Sequence, residues 1–235
     1  MRRLLASLLT PRRVEVDELL DQPDAPADDV ERSLRDLRRM NRFLGGRLAW
    51  RRLVRRLGGM RPGESILEIG SGTSDLLETI DESVTRIGLD IKIDHLLYGR
   101  RAGDPSILRV VADASRLPFR NSTIHLIGSS HFFHHFSLRE NVLIFDECLR
   151  VARRGIFATD TRRSVFPWLF VRLLGLLGIV GSITRFDAPA SVLQSYTIAE
   201  IRDFAGALDH RRSEVSRMIP FRYALVVRKE DIADG

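Results

Sequence analysis

The sequence predicts an α/β protein whose sheet is mostly parallel and carries helices on both faces. Between about residues 62 and 160, five short apolar runs alternate with connections long enough to hold helices. Strands joined in this way form crossover units and lie parallel in one sheet. Two further apolar runs near the end of the chain supply the closing strands. The length of 235 residues and the 44% share of hydrophobic residues suit one globular domain with additional elements.

The individual elements follow from the spacing of apolar residues. The predicted strands span residues 65–69, 84–90, 107–113, 123–128, 155–160, 215–219 and 223–228. Helices are predicted at 74–80, 93–100 and 138–149, and another begins after Thr197, three residues before Glu200 in a capping-box pattern. The only cysteine, Cys148, falls on the helix at 138–149, and we expect a buried thiol there. A single cysteine forms no internal disulfide, which suits a reducing cytoplasm.

A basic, mostly helical extension is predicted at residues 1–60, ahead of a main domain at 61–235. Its apolar stripe consists of Leu34, Leu37, Met40, Leu44 and Leu48. Gly45 and Gly46 are expected to break this helix, and a second segment runs to Leu57. The stripe either packs on the main domain beneath a solvated basic face or forms a lid over a substrate pocket. The first ten residues suit a short amphipathic helix better than a signal peptide, and a membrane-surface anchor stays open.

The positive charge of the chain comes almost entirely from arginine. The net charge is +6, and of 37 basic residues only Lys92 and Lys229 are lysines. Such a surface is either merely solvated or meets an anionic partner. Membrane lipid, an acidic carrier and nucleic acid are the candidate partners, and the sequence does not define an oligomeric state.

The first chemical signal is a glycine-rich turn at the end of the first predicted strand. Gly70, Ser71 and Gly72 let the backbone turn sharply and let a ligand approach closely. The helix predicted after them would present its first amides to an anionic or polar ligand group. Glu68 lies within the apolar strand, where an unpaired acid is costly, so we expect it to meet a cationic amine.

Acidic residues also end the second and third predicted strands. An acid at Asp90 can accept hydrogen bonds from both hydroxyls of a ribose. Asp113, followed by Ala114, can accept from the exocyclic amine of a base. Ligands of parallel sheets bind at the carboxyl ends of the strands, so these acids predict a nucleoside pocket. Asp75 replaces the third glycine of a dinucleotide fingerprint, which favours S-adenosylmethionine (SAM) over NAD.

Residues 67–75, Leu-Glu-Ile-Gly-Ser-Gly-Thr-Ser-Asp, resemble motif I of the class I SAM-dependent methyltransferases. Asp90 resembles the acid that ends the second strand in that class, and residues 113–119 resemble the stretch that lines its adenine site. The similarity covers about residues 62–160 and points to the small-molecule branch that includes the ubiquinone and menaquinone C-methyltransferases. It implies a Rossmann-like, seven-stranded sheet that ends in an antiparallel pair, with a helical cap at about 161–195.

The resemblance also implies which residues hold the cofactor, SAM. The implied contacts are Glu68 with the methionine amine, the backbone of Gly70, Ser71 and Gly72, Asp90 with the ribose, Ile91 against the adenine, Asp113 and Ala114 at the adenine edge, and Ser129 and Ser130 near the sulfonium.

Three histidines, His131, His134 and His135, follow the fourth predicted strand, where members of the class place substrate-facing residues. A histidine there can accept a proton from a phenol or enol as it is methylated. Adjacent histidines cannot both face one point, so we expect one of His134 and His135 to be structural. All three are non-catalytic if alignment and a dry pocket suffice for methyl transfer. No carboxylate or cysteine nearby in sequence has metal-site spacing, so no metal is predicted.

Residues 165–183 are almost entirely apolar and approach the length of a membrane span. Pro167, Arg172 and three glycines argue against a span. We expect instead a helical cap whose apolar face lines a pocket for a hydrophobic acceptor or packs on the domain. Arg162 and Asp187 flank this cap and are candidates for contact with an acidic or phenolic acceptor group.

The sequence therefore predicts methyl transfer from SAM to oxygen or carbon of a small hydrophobic acceptor, such as a phenol, a quinone or a polyketide-like compound. The alternatives are an RNA or protein methyltransferase that uses the arginine-rich helices, a SAM-binding module without catalysis, and an NAD-dependent enzyme. Methyltransferases of nucleic-acid bases carry an Asn/Asp-Pro-Pro-aromatic signature or a nucleophilic cysteine after the fourth strand. This chain has Ser129-Ser-His-Phe there, which argues against a nucleic-acid acceptor.

Overall fold

The computed structural model describes residues 9–208 and 212–229, so most of the predicted amphipathic start, residues 1–8, lies outside the described part. The described helices are α1 (Ala27–Phe43), α2 (Gly46–Arg56), α3 (Ile93–Ala102), α4 (Leu138–Val151), α5 (Val165–Leu176), α6 (Ser182–Gln194) and α7 (Ile198–Ala207). The strands are β1 (Ser65–Ile69), β2 (Thr85–Asp90), β3 (Leu108–Val111), β4 (Ile124–Ser130), β5 (Ala152–Thr161), β6 (Arg212–Met218) and β7 (Arg222–Arg228).

These strands form one sheet in the order β3-β2-β1-β4-β5-β7-β6. β1 to β5 pair in parallel, and β7 runs antiparallel to both β5 and β6. The predicted mostly parallel sheet with an antiparallel end is therefore confirmed. The chain turns back across the sheet between β3 and β4, which leaves β1 and β4 as neighbours at the switch point. Ligands of such sheets bind beside that point, at the carboxyl ends of the strands.

Helices cover both faces of the sheet because its strands are apolar on both sides. On one face α4 and α7 pack Phe145 and Phe204 against the sheet, with ring centroids 5.2 Å apart. Cys148 lies fully buried in the same layer, as expected. On the other face α2 inserts Trp50, whose ring meets Phe157 edge-on at 4.7 Å. The two layers fix the strand ends in place.

The helix predicted at residues 74–80 does not form, and a single 3-10 turn, Leu77–Thr79, stands there instead. Ser74 adopts a left-handed conformation (φ 58°), which turns the chain out of a helical path. Its amide donates to the Ser71 carbonyl at 2.7 Å, and its hydroxyl bonds the Ser71 hydroxyl at 3.2 Å. The expectation that the amides of a helix N-terminus face the ligand was therefore wrong.

The helical extension divides at Gly45, as predicted, because this residue adopts a positive φ of 83°. The division separates Leu48 from the apolar stripe, and Leu48 is partly exposed on α2. The other stripe residues, Leu34, Leu37, Met40 and Leu44, line a cavity above the sheet. The lid interpretation of α1 is the one that this placement supports.

The apolar segment after β5 forms two helices, α5 and α6, at the position expected for a helical cap. Gly178 (φ 67°) lies between them and lets the chain reverse. Within the described residues, each helix is too short or too polar to reach across a bilayer. The following helix, α7, begins with the predicted capping box of Thr197 and Glu200.

Candidate functional site

A cavity of about 620 Å³ opens at the carboxyl ends of β1, β2 and β4. The turn at residues 70–73 and the histidines after β4 both line it and lie side by side, because the ring of Phe132 packs on Gly70. Its apolar walls are formed by Leu34, Leu37, Met40, Leu44, Pro167, Phe170, Val171 and Val192. Pockets for hydrophobic ligands have this character, with apolar walls and a few convergent polar groups.

The glycine turn is tied to the end of β2 through Asp90. The amide of Gly72 donates to Asp90 Oδ2 at 2.7 Å, and the amide of Lys92 donates to Asp90 Oδ1 at 2.9 Å. Each carboxylate oxygen has a second acceptor position, so Asp90 can still bind a ribose. Gly70 must be glycine, because it has a φ of 60° and a Cβ there would overlap the ring of Phe132.

Glu68 lies at the floor of the cavity and is almost completely buried. Among the described residues, its Oε2 has no hydrogen-bond partner. Burial, with added repulsion from Asp75, Asp90 and Glu78, raises the pKa of Glu68 well above its ordinary value. A cationic group in the cavity would offset both causes, which is the property that the sequence analysis expected of this acid.

Two arginines from the extension hold the segment after the glycine turn. Arg38 Nη2 lies 2.7 Å from one oxygen of Glu78, and Arg47 Nη2 lies 2.8 Å from the other. Arg47 Nε also lies 3.5 Å from Asp75 Oδ2, and Asn41 donates to Asp75 Oδ1 at 3.1 Å. The basic side of α1 and α2 is therefore not simply solvated, since part of it fixes the cavity floor.

Two of the three residues predicted to contact the adenine are exposed to solvent. Ile91, Asp113 and Ala114 all line the cavity, with Ile91 and Asp113 exposed and Ala114 buried. Asp113 Oδ1 accepts from the amide of Ser115 at 2.7 Å, which leaves Oδ2 as an acceptor for an exocyclic amine. A flat base can therefore enter between Ile91 and this edge.

Asp160, at the end of β5, joins two of the three histidines. His131 Nδ1 lies 3.0 Å from Asp160 Oδ1, and His134 Nδ1 lies 2.7 Å from Asp160 Oδ2. His134 Nε2 also faces Glu18 Oε1 at 3.5 Å. His131 itself has a φ of 55°, so the chain turns sharply there and returns both imidazoles to one carboxylate.

The two imidazoles carry different charges. Burial lowers the pKa of His134, but Asp160 and Glu18 outweigh burial and raise it to about 10. For His131, burial and then the charge of Arg222 lower the pKa despite Asp160. His134 is thus a cation at neutral pH and cannot accept a proton. His131 is neutral, and because its Nδ1–H donates to Asp160, its Nε2 is left as the proton acceptor.

The same difference makes His134 a source of stability below pH 10. The pKa of His134 in the folded protein exceeds the ordinary unfolded value of about 6.5. The stabilisation by His134 is therefore complete below about pH 6.5 and is lost as pH rises through about 10. We expect the unfolding free energy of the wild type to fall between pH 7 and pH 10, by on the order of 3 kcal/mol more than that of His134→Gln. Urea unfolding at the two pH values measures this, and parallel losses in the two proteins would contradict it.

The cavity contains most of the residues that the sequence analysis selected. Glu68, Gly70, Ser71, Gly72, Asp90, Ile91, Asp113, Ala114, His131, His134 and His135 all line it. Ser129 does not, because alternate strand residues point to opposite faces, and its neighbour Ser130 lines the cavity instead. His135 lies 3.9 Å from Asp21, and burial with the charge of His134 lowers its pKa.

Sequence analysis missed Asp160, Glu18 and Arg222, which all contact or border the histidines. Asp160 ends a predicted strand, the same signal that selected Asp90 and Asp113, so it was available. Glu18 carried no such signal. The two clusters of potential metal ligands, Glu18 with His134 and His135, and His131 with His134 and Asp160, depend on these acids. We interpret them as an ion-pair network because both nitrogens of the charged His134 face carboxylates.

Arg162 and Asp187, the flanking residues considered for acceptor contact, do not line the cavity. The Asp187 carboxylate accepts from the amides of Leu19 and Leu20 at 2.8 and 2.9 Å. It therefore holds the segment before α1 against α6. Neither candidate therefore lies in the cavity wall, and the Asp187 carboxylate is already occupied by backbone amides.

Comparison with known proteins agrees with this geometry. A family profile described as a methyltransferase domain matches residues 66–155. A demethylmenaquinone methyltransferase of Beutenbergia cavernae is 32% identical over 145 residues, which are 60% of this chain and 58% of that protein. A ubiquinone/menaquinone biosynthesis C-methyltransferase of Ectopseudomonas oleovorans is 31% identical over 128 residues, which are 47% of this chain and 68% of that protein.

A solved structure supports the fold. The plantazolicin methyltransferase BpumL, in complex with a triazolic desmethylPZN analog and SAH, gives a TM-score of 0.66 at 13% identity. The match covers 90% of this chain and 93% of that chain.

The chain belongs to the class I SAM-dependent methyltransferases. Within that class it resembles the quinone C-methyltransferases, as the sequence predicted. It spans little more than half the length of the first of these relatives, 58%.

The residues of the cavity fit SAM. The unpartnered carboxyl oxygen of Glu68 suits the methionine ammonium, and Asp90 offers acceptors at the ribose position. The turn at residues 70–72 allows the backbone to approach the ligand. We expect SAM binding to expel the proton of Glu68, since a nearby cation lowers a carboxyl pKa.

Calorimetric titration in buffers of different ionisation enthalpy tests this expectation. The wild type should release more protons per SAM bound at neutral pH than Glu68→Gln does. The variant should also bind SAM about tenfold more weakly, because a charge-assisted hydrogen bond is lost. Equal proton release by the two proteins would contradict the assignment. Glu64→Gln, which removes an acid outside the cavity, is the matched control.

Proposed function

We propose that this protein transfers a methyl group from SAM to carbon or oxygen of a small hydrophobic acceptor of the phenol or quinol type. The observation that carries the proposal is the neutral His131, held by Asp160 in an apolar cavity and adjacent to the glycine turn where we place the cofactor. A base in that position can take the proton of an acceptor hydroxyl.

Different residues of this chain bind the acceptor and accept its proton. The apolar walls bind the ring of the acceptor and exclude water, which favours alignment with the methyl group. His131 Nε2 accepts the hydroxyl proton while the acceptor oxygen forms the new bond to the methyl group. Where the activated ring carbon forms that bond instead, the hydrogen on this carbon then leaves as a proton, which restores the aromatic ring. When bound, SAM supplies an electrophilic methyl group, and the electron pair of the broken S–CH₃ bond stays on sulfur. Asp160 keeps the Nδ1–H tautomer of His131, which leaves Nε2 free to accept the proton.

Two observations favour a small acceptor over RNA or protein. The acceptor end of the cavity is lined by side chains of α1, α5 and α6, including Leu37, Phe170 and Val192, which suit a compact apolar ring. Arg38 and Arg47, which an RNA-binding surface would offer to phosphates, are engaged with Glu78 instead. The names of the relatives, which concern quinone biosynthesis, support a quinol among the possible acceptors.

Titration and product analysis test the proposal. We expect SAM and its demethylated product SAH to bind in the micromolar range, and NADH not to bind. Incubation with SAM and a set of hydrophobic phenols and quinols should give a methylated product, detected by mass spectrometry. Binding of NADH in place of SAM, or methylation of RNA with every small acceptor left unmodified, would overturn the proposal.

A further inference from the structure

The outward face of α5 is apolar, which is unusual for a surface helix. Its side chains are 39–80% exposed and comprise Phe166, Leu169, Phe170, Leu173, Leu176 and Leu177. These positions recur three and four residues apart and therefore form one stripe. The opposite face, with Pro167, Val171 and Gly175, is buried. A helix of a soluble protein normally buries its apolar stripe, so this one is built for an apolar neighbour that the described residues do not supply.

The charges within the segment that forms this stripe are positive, while Asp36 and Asp29 of α1 accept hydrogen bonds from Gly181 and Ser182, where α6 begins. Residues 165–186 contain two arginines, Arg172 and Arg185, and neither aspartate nor glutamate. The guanidinium of Arg172 stands over the ring of Trp168 at 4.9 Å, whereas the side chain of Arg185 packs on Gly175, on the opposite face of the helix. Arg32 of α1 lies against Gly181, at the loop between α5 and α6. An apolar face bordered by arginines complements an anionic surface with an apolar interior.

Two further points connect this face to a lipid. The amide of Val165 donates to the carbonyl of Leu9 at 3.0 Å, and the residues that precede Leu9 in sequence include Arg2 and Arg3 but no acid. Phe170 belongs both to the stripe and to the wall of the cavity. A hydrophobic compound dissolved in a bilayer would therefore meet the acceptor end of the cavity at this helix.

We propose that the outward face of α5 lies on the surface of an anionic lipid bilayer, with its leucine and phenylalanine side chains in the headgroup–acyl boundary. Arg172 and Arg32 then meet lipid phosphates. The helix rests in the plane of the membrane and does not cross it. The argument from the cavity wall at Phe170 rests on the proposed function, whereas the argument from the exposed stripe of α5 does not.

Sedimentation with lipid vesicles tests the proposal on the full-length chain. We expect the protein to bind vesicles of phosphatidylcholine with phosphatidylglycerol, to bind pure phosphatidylcholine vesicles far more weakly, and to be released by salt. Leu169→Glu combined with Leu173→Glu should lower the vesicle partition coefficient by at least about tenfold, since each leucine loses its apolar burial. Leu143→Glu changes an equally exposed leucine of α4 and should bind vesicles as the wild type does.

If something other than a lipid bilayer covers this face, the same experiments give different results. Each of the following results would overturn the proposal. A wild-type dimer that the double variant dissociates, with no vesicle binding by either protein, would show that a second copy covers the face. Vesicle binding that appears only after deletion of residues 1–8 would show that this segment covers it. Vesicle binding by the double variant at the wild-type level would exclude α5 as the contact. Circular dichroism and SAM titration of each variant separate these outcomes from misfolding and from failure of the proposed reaction.

Discussion

His131→Asn is expected to lower kcat by a factor of about 10² to 10⁴, the usual contribution of a positioned general base. Asparagine tolerates the left-handed backbone at this position, and its side-chain amide can still donate to Asp160. The substitution therefore removes the proton-accepting Nε2 and leaves the neighbouring ion pair with His134 in place. The affinity for SAM should stay within about twofold of the wild type, because none of the contacts implied for the cofactor is made by the His131 side chain.

The pH profile gives a second readout of the same variant. Because burial and the charge of Arg222 depress the pKa of His131, the wild-type rate should stay level down to pH values below the ordinary histidine pKa and then fall. The variant should lose this acid limb. His125→Asn is the matched control, since His125 lies at the opposite end of β4 and asparagine can keep the hydrogen bond from Ser65. A kcat for His131→Asn equal to that of the control would show that alignment alone drives the reaction.

Asp90→Ala is expected to weaken SAM binding by about a hundredfold, since two hydrogen bonds to a charged acceptor are each worth about 1.5 kcal/mol or more. The carboxylate offers acceptors to the ribose and also holds the amides of Gly72 and Lys92. Its loss therefore removes a ligand contact and loosens the glycine turn at the same time. Calorimetric titration with SAM and with SAH measures the effect.

The control for this variant lies four residues further along the chain. Asp94→Ala removes an exposed carboxylate from the first turn of α3, outside the cavity, and should leave the SAM affinity unchanged. Thermal unfolding of Asp90→Ala, compared with this control, shows how much of the effect is loosening of the turn. Unchanged SAM binding by a folded Asp90→Ala protein would remove the ribose assignment.

The sheet and the cofactor end of the cavity were predictable because their signals are local. Strands buried on both faces are nearly continuous apolar runs, and acids at their carboxyl ends stand out against that background. The bounds predicted for β1 agree with the structure at both ends, and Asp90 and Asp113 lie where the strand-end rule placed them. The helix break at Gly45 followed from the same local reasoning.

The rest of the site depends on contacts between distant parts of the chain. The pairing of Glu18 with His134 joins residues that share no sequence pattern, and a tertiary ion pair of this kind leaves no periodic signal. The missing helix after Gly72 has a similar cause. The left-handed turn at Ser74 is set by its packing over Gly88, while the local sequence favours a helix. The sequence implied both Ser129 and Ser130 near the sulfonium. Only Ser130 lines the cavity, because alternate residues of β4 point to opposite faces of the sheet.

Two imidazoles that share one carboxylate also affect how the protein recovers between turnovers. While His134 stays charged, a second proton on His131 places two cations on Asp160, which can balance only one of them. The captured proton is therefore held weakly. The His131 side chain is 31% exposed, so water can carry that proton away. In the proposed reaction, the charge on His134 therefore favours return of the proton from His131 to water before the next turnover.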